Sequence, residues 1–213
     1  MHAPKSVKRQ RNQRGEGSRL RDELIQAAMQ ILDRAPATKL SLRMIAKEAG
    51  VSPTSVYPHF KDAKTLEIEV IRECWTQLGL EMERAAEQIP ADQPGPKLKA
   101  QVSSYINYAM ERPSRYHLLF AIEPIDLGAK QLAGMLQPAS RNISDTLDEF
   151  VSIGGKIPAD NVFNATVLTM SLVHGRVAIA HLAPTRPGNK KEKVIEFILD
   201  SLDHLFFIEK DTQ

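Results

Sequence analysis

The stretch Ser41-Leu-Arg-Met-Ile-Ala-Lys-Glu-Ala-Gly-Val-Ser-Pro-Thr-Ser-Val-Tyr-Pro-His-Phe60 reads as two short helices joined by a tight turn. Ser41 is placed to cap the first helix, Leu42, Ile45, Ala46 and Ala49 recur at helical spacing, and Gly50 supplies the left-handed residue that ends it. Ser52 is placed to cap the second, with Pro53 at its first position, where a missing N–H costs nothing. Pro58 lies inside this second helix and removes the N–H that would pair with the Thr54 carbonyl, so a kink is expected. Helix, glycine turn and helix make a helix-turn-helix pattern, whose second helix is built to lie in a DNA major groove.

The charge distribution agrees with that reading. Over 213 residues the net charge is +2, but residues 1–64 carry 13 Lys and Arg against 6 Asp and Glu, whereas residues 65–213 carry 15 against 20. A basic head on an acidic body implies that the head alone meets a polyanion. The length allows a small domain attached to a larger one, and 42% hydrophobic with 25% charged residues is ordinary for a globular chain. The single cysteine, Cys74, permits no intrachain disulfide and no CxxC metal motif, which fits a reducing cytoplasm. No signal peptide is expected, and His174, Arg176 and His181 interrupt the longest apolar run, so no membrane span is expected either.

Outward from the motif, residues 1–18 form a basic arm with almost nothing to bury, expected to be disordered. Lys5, Lys8, Arg9, Arg11 and Arg14 suit the DNA backbone or minor groove, and serve equally as a solvated tail. A first helix is expected over 19–34, with Leu24, Ala28, Ile31 and Leu32 on one face and Pro36 stopping it. These elements make a DNA-binding domain over 19–64. A long helix then starts at the N-cap Asp62, carrying Leu66, Val70, Ile71, Cys74, Trp75 and Leu78 on its apolar side and fading after Met82. Beyond a proline-rich link at 88–96, the body at 65–213 continues with helices expected over 97–111, 114–122, 129–151 with a break or kink at Pro138, 160–182 capped by Asp160, and 190–208. No segment alternates as a strand. The fold class is therefore all-α, with about nine helices, a helix-turn-helix head and a helical body joined through the helix from Asp62.

The run Ala49-Gly-Val-Ser-Pro-Thr-Ser-Val-Tyr-Pro-His-Phe-Lys-Asp-Ala-Lys-Thr-Leu66 resembles the DNA-binding domain of the TetR family of transcriptional regulators, the likeness covering about residues 19–66. It joins the Ile-Ala-x-x-Ala-Gly-Val-Ser turn to Val-Tyr-x-His-Phe and then to a capped following helix. Residues 105–120, with Val173-His174-Gly175, resemble a TetR C-terminal domain type named for a Trp-His-Gly signature, with Met170 standing where the tryptophan would be. The resemblance implies a homodimer whose last two helices pair with their mates in a four-helix bundle. It also implies repression of a palindromic operator, release by a small molecule bound in the body, and a switch that moves the helix from Asp62. On the apolar stripes of the last two helices, the dimer contacts expected are Val173, Val177, Val194, Ile198, Leu202 and Leu205.

The DNA-binding residues expected are Ser41, Arg43, Ser52, Thr54, Ser55, Tyr57, His59, Lys61 and Lys64. Thr54 and Ser55 start the recognition segment, where short hydroxyl side chains reach bases or phosphates, and Ser41 and Lys64 lie at helix starts that favour phosphate. The family pattern implies backbone contacts from Tyr57 and His59 and makes Arg43 the candidate for a guanine contact. The chain has Ala63 where the family often has lysine. The ligand pocket is expected among Tyr105, Tyr108, Met110, Tyr116, Phe120, Met170 and His174, for a largely apolar small-molecule effector; taken singly, each residue suits ordinary core better. His174 and His181, two turns apart, lack a third ligand at suitable spacing and are read as interface or capping residues, so no metal and no cofactor are expected. An enzyme is disfavoured, for the chain has no GxSxG, no HExxH and no P-loop spacing around Gly154-Gly-Lys156. The rival readings are an activator with the same head and an architectural DNA-binding protein without an effector.

Overall fold

The computed structural model describes residues 16–34, 39–120 and 129–207. Among them are eight α-helices and no strand: α1 (Glu16–Arg34), α2 (Leu42–Glu48), α3 (Ala63–Glu87), α4 (Pro94–Glu111), α5 (Pro113–Leu119), α6 (Ala129–Ser152), α7 (Val162–Leu182) and α8 (Lys191–Leu202). The fold is all-α, as expected. The basic cluster of the arm, Pro36, and the expected helical residues 121, 122 and 208 lie outside the described residues.

The ninth helix fails to form for a reason visible in its hydrogen bonds. The second helix of the motif is a single 3-10 turn, Pro53–Ser55, followed by further turns to His59. Ser55 N–H donates to the Ser52 carbonyl at 3.0 Å and Val56 N–H to that of Pro53 at 3.2 Å, both three residues back. Pro58 has no N–H to offer Thr54, so the α-helical ladder does not establish itself there. The Ser52 side chain makes no backbone cap either. The preceding turn is as expected: Gly50 has φ +67°, its N–H donates to the Lys47 carbonyl and that of Val51 to Ala46, the paired bonds of a glycine-terminated helix.

The chain divides into two compact units between Val70 and Ile71, inside α3. In the first, α1 packs on α2, and Leu24, Ala28, Ile45, Ala46, Val56, Phe60 and Leu66 are buried. Arg21 sits over the Phe60 ring and pairs with Glu69 at 2.8 Å, tying α1 to the start of α3. Asp62 caps α3 by accepting from Thr65 N–H at 2.7 Å.

In the second unit α4 is central, packing on α5, α6, α7 and α8. It begins at Pro94 rather than Lys97, the proline being tolerated in a first turn. The expected break at Pro138 does not occur: α6 runs through it. Gly79 of α3 approaches so closely that a Cβ there would stand 2.7 Å from Pro138, and Asn142 Nδ2 donates to the carbonyls of both Pro138 (2.8 Å) and Gly79 (3.0 Å). Tertiary contact here offsets the lost backbone bond. Asn161, not Asp160, caps α7, its Oδ1 accepting from Asn164 N–H at 2.8 Å. By length and composition alone α7 is apolar enough to cross a membrane, a test that the core helix of a soluble protein also passes. One face carries Ala165, Thr169, Val173, Val177 and Ala180 into the core of the unit.

Candidate nucleic-acid interface

In the first unit the buried side of α2 and the following turns leaves a polar surface outside. Arg43 and Lys47 occupy one exposed face of α2, one turn apart, and Ser52, Thr54, Tyr57, Lys61 and Lys64 are exposed along the segment that follows. Ser41, Ser55 and His59 are half-buried. Tyr57 is 60% exposed, so its ring is not part of the packed core. Ser41 Oγ accepts from Met44 N–H at 3.3 Å and so serves as the α2 N-cap. The Ser52 hydroxyl lies 2.8 Å from those of both Thr54 and Ser55, so the structure gathers these three into one hydroxyl cluster. Lys47 was missed by the sequence reading, although its spacing of four from Arg43 was the signal. Asp62, whose carboxyl is held below its usual value chiefly by the Thr65 N–H, is the anion within this basic edge.

The second unit brings four of the seven expected pocket residues together. The Tyr116 hydroxyl and His174 Nδ1 share a hydrogen bond at 2.5 Å. The Tyr105 ring meets Tyr116 edge-on at 6.2 Å, and the Phe120 ring lies on His174 at 3.9 Å. Burial lowers the His174 pKa and keeps the imidazole neutral at neutral pH, and it raises the Tyr105 and Tyr116 hydroxyls. Tyr108 is buried at the other end of the face, under the Arg112 guanidinium at 4.9 Å. Met110 and Met170 are half-buried, and Phe120 is partly open to solvent. The sequence reading missed His117 and Trp75 here. The His181 ring packs on Tyr116 at 5.2 Å and on His117 at 5.0 Å, beside the Ala109 backbone in the last turn of α4. Among the described residues, no three His, Cys, Asp or Glu are grouped as metal ligands.

The expected dimer contacts need correction. Val173, Val177, Val194, Ile198 and Leu202 are all buried in the core of their own chain, with Leu205 alone exposed. The solvent-facing apolar residues of α7 and α8 are instead Phe163, Val167, Leu168, Ile179, Leu182 and Phe197. α7 is apolar on both sides, and helical periodicity alone does not tell its inward side from its outward one.

Comparison with known proteins agrees with this architecture. Residues 24–66 match the family described as bacterial regulatory proteins, tetR family, and residues 98–202 match the tetracyclin repressor-like C-terminal domain. Among solved structures, a protein of unknown function from Rhodococcus sp. RHA1 superposes with TM-score 0.70 at 21% identity, covering 87% of this chain and 95% of that one. The fatty acid degradation regulator FadR from Bacillus halodurans gives 0.69 at 15% identity, covering 90% and 96%. A TetR family transcription regulator from Marinobacter aquaeolei VT8 gives 0.65 at 18% identity, covering 91% and 99%. With a helix-turn-helix head and a helical body each matched in its place, the chain belongs to the TetR family of transcriptional regulators.

Proposed function

We propose that the protein is a homodimeric, cytoplasmic repressor that binds a palindromic DNA operator and leaves it when a small molecule enters its body. The observation that carries this reading is the exposed row of Arg43, Thr54, Tyr57, Lys61 and Lys64 on a helix-turn-helix whose opposite side is core. Arg43 reads a base edge, while Tyr57, His59 and the hydroxyls of Ser41, Ser52, Thr54 and Ser55 hold phosphates; Lys61, Lys64 and Lys47 add counter-charge. Because the recognition segment is a tight turn, Arg43 on α2 carries more of the base reading than in a long recognition helix.

Two such heads must be held at a fixed spacing to read a palindrome. The apolar outer face of Phe163, Val167, Ile179 and Leu182 on α7, with Phe197 on α8, supports self-association there. The neutral aromatic cluster around Tyr105, Tyr116 and His174 supports an effector site. α3, which begins in the first unit and ends in the second, is the element that an effector would move. The chain performs no catalysis in this scheme. Selection of bound sequences from a random DNA pool tests it. A palindrome is expected; binding without sequence preference would instead favour an architectural role.

A further inference from the structure

The interior of the second unit holds polar atoms that the protein itself does not satisfy. Gln101 Oε1, the hydroxyls of Tyr105 and Tyr108, and Thr146 Oγ1 are sealed from solvent, and none has a hydrogen-bond partner of normal geometry. All four residues are at most 2% exposed. The Tyr105 hydroxyl has Tyr116 beside it, and that of Tyr108 has Cys74 and Arg115, without a well-formed bond. Leaving such atoms unmet is costly, so their retention needs a reason.

Their placement supplies one. Gln101, Tyr105 and Tyr108 recur at i, i+4 and i+7 and so share one face of α4. Gln101 already donates through Nε2 to the Asn142 carbonyl at 3.1 Å, which leaves its own carbonyl to accept. Thr146 stands one turn beyond Asn142, on the same side of α6. One turn further along α4, Tyr105 meets Tyr116, whose hydroxyl is committed to His174. The unmet atoms therefore follow the seams of α4 with α6, α5 and α3.

Charge narrows the chemistry. Among the described residues no Asp, Glu, Lys or Arg is buried. Arg112 and Arg115, at the Tyr108 end, are engaged with Glu81 at 3.2 Å and Gln77 at 2.9 Å. An ion enclosed between Gln101 and Tyr105 would lack a counter-charge, Arg115 standing at the Tyr108 end, and a pure hydrocarbon would leave every orphan atom unmet. Resting on the effector reading above, we propose that this site takes an uncharged ring molecule carrying both a hydrogen-bond donor and an acceptor, held along the Gln101, Tyr105 and Tyr108 face of α4. The Gln101 carbonyl accepts from the ligand's O–H or N–H, the Tyr105 hydroxyl donates to its acceptor, and the rings of Tyr116 and Phe120 supply flat walls.

Trp75, the one tryptophan of the chain, is buried edge-on to Phe120 at 5.6 Å and reports on this region by fluorescence. The full-length protein is titrated with 4-hydroxybenzamide as the neutral ring, toluene as the hydrocarbon and decanoate as the anion. Saturable binding of 4-hydroxybenzamide, at least about tenfold tighter than either of the others, is expected. Tyr105→Phe is expected to weaken that binding about tenfold and, by deleting an orphan hydroxyl, to raise the Tm of the unliganded protein. If Tyr105→Phe does not fold, Tyr108→Phe carries the same two readouts. Tighter binding of decanoate or toluene, no saturable binding of the neutral ring, or a lowered unliganded Tm in the variant that folds would each overturn the inference. Operator binding by the same samples separates the two readings. Operator binding without neutral-ring binding removes this inference alone, and neutral-ring binding by a chain that selects no operator removes the regulator reading alone.

Discussion

Ile179→Asp should split the proposed dimer while leaving each protomer folded. Ile179 is 58% exposed in the single chain, on the α7 face that also carries Phe163 (74%) and Leu182 (85%). Burying a whole isoleucine side chain contributes ~1.5–3 kcal/mol, so the part still available here contributes roughly 1–2 kcal/mol in each protomer. Two-fold symmetry counts the loss twice, giving roughly 2–3.5 kcal/mol, or roughly 30- to 300-fold in the dimer dissociation constant. An aspartate left in the apolar contact adds its own desolvation cost, so this range is a floor. Sedimentation equilibrium over a concentration series measures the constant, and circular dichroism checks that helix content is unchanged. Val177→Asp is the contrast: its side chain is fully buried in the protomer, and the substitution should unfold the body. A dimer undiminished by Ile179→Asp would refute the assignment of this face.

Three further predictions concern the head. Arg43→Ala should cost ~1–3 kcal/mol of discrimination for the operator over random DNA, and Tyr57→Ala should weaken binding to both. Both residues are exposed, so thermal melts should not move, and anisotropy titrations at fixed salt check the affinities. The Asp62 carboxyl, held below its usual 3.8 chiefly by the Thr65 N–H, binds its proton less readily folded than unfolded. Its contribution is therefore present above about pH 4 and disappears as pH falls through the lower folded value. An NMR titration of Asp62 should show a midpoint below 3.8, and Asp62→Asn should remove this part of the acid dependence of the melt.

The parts of the fold visible in the sequence are those set by local backbone chemistry. Gly50 ends α2, Ser41 and Asp62 cap their helices, and Pro53 opens the recognition turn, since each acts on hydrogen bonds within a few residues. Pro58 predicts a kink, but in so short a segment the removal of one bond decides between a helix and a turn. Pro138 went the other way, since its contact with Gly79 could be seen only once α3 and α6 were packed. The largest misreading lay in α7. Periodicity finds an apolar face when the other is polar; with Val173 and Val177 on one side and Phe163 and Ile179 on the other, the pattern could not say which side faced the core. The pairing of Tyr116 with His174 was likewise hidden, the two being 58 residues apart.

The central claim, that this chain reads one palindromic sequence as a dimer, is tested most directly by selection of bound DNA from a random pool. An enriched palindrome with two identical half-sites, whose binding falls with Arg43→Ala and with Ile179→Asp, is the predicted result. Enrichment of no sequence, or of a single half-site bound equally well by the Ile179→Asp protomer, would contradict it.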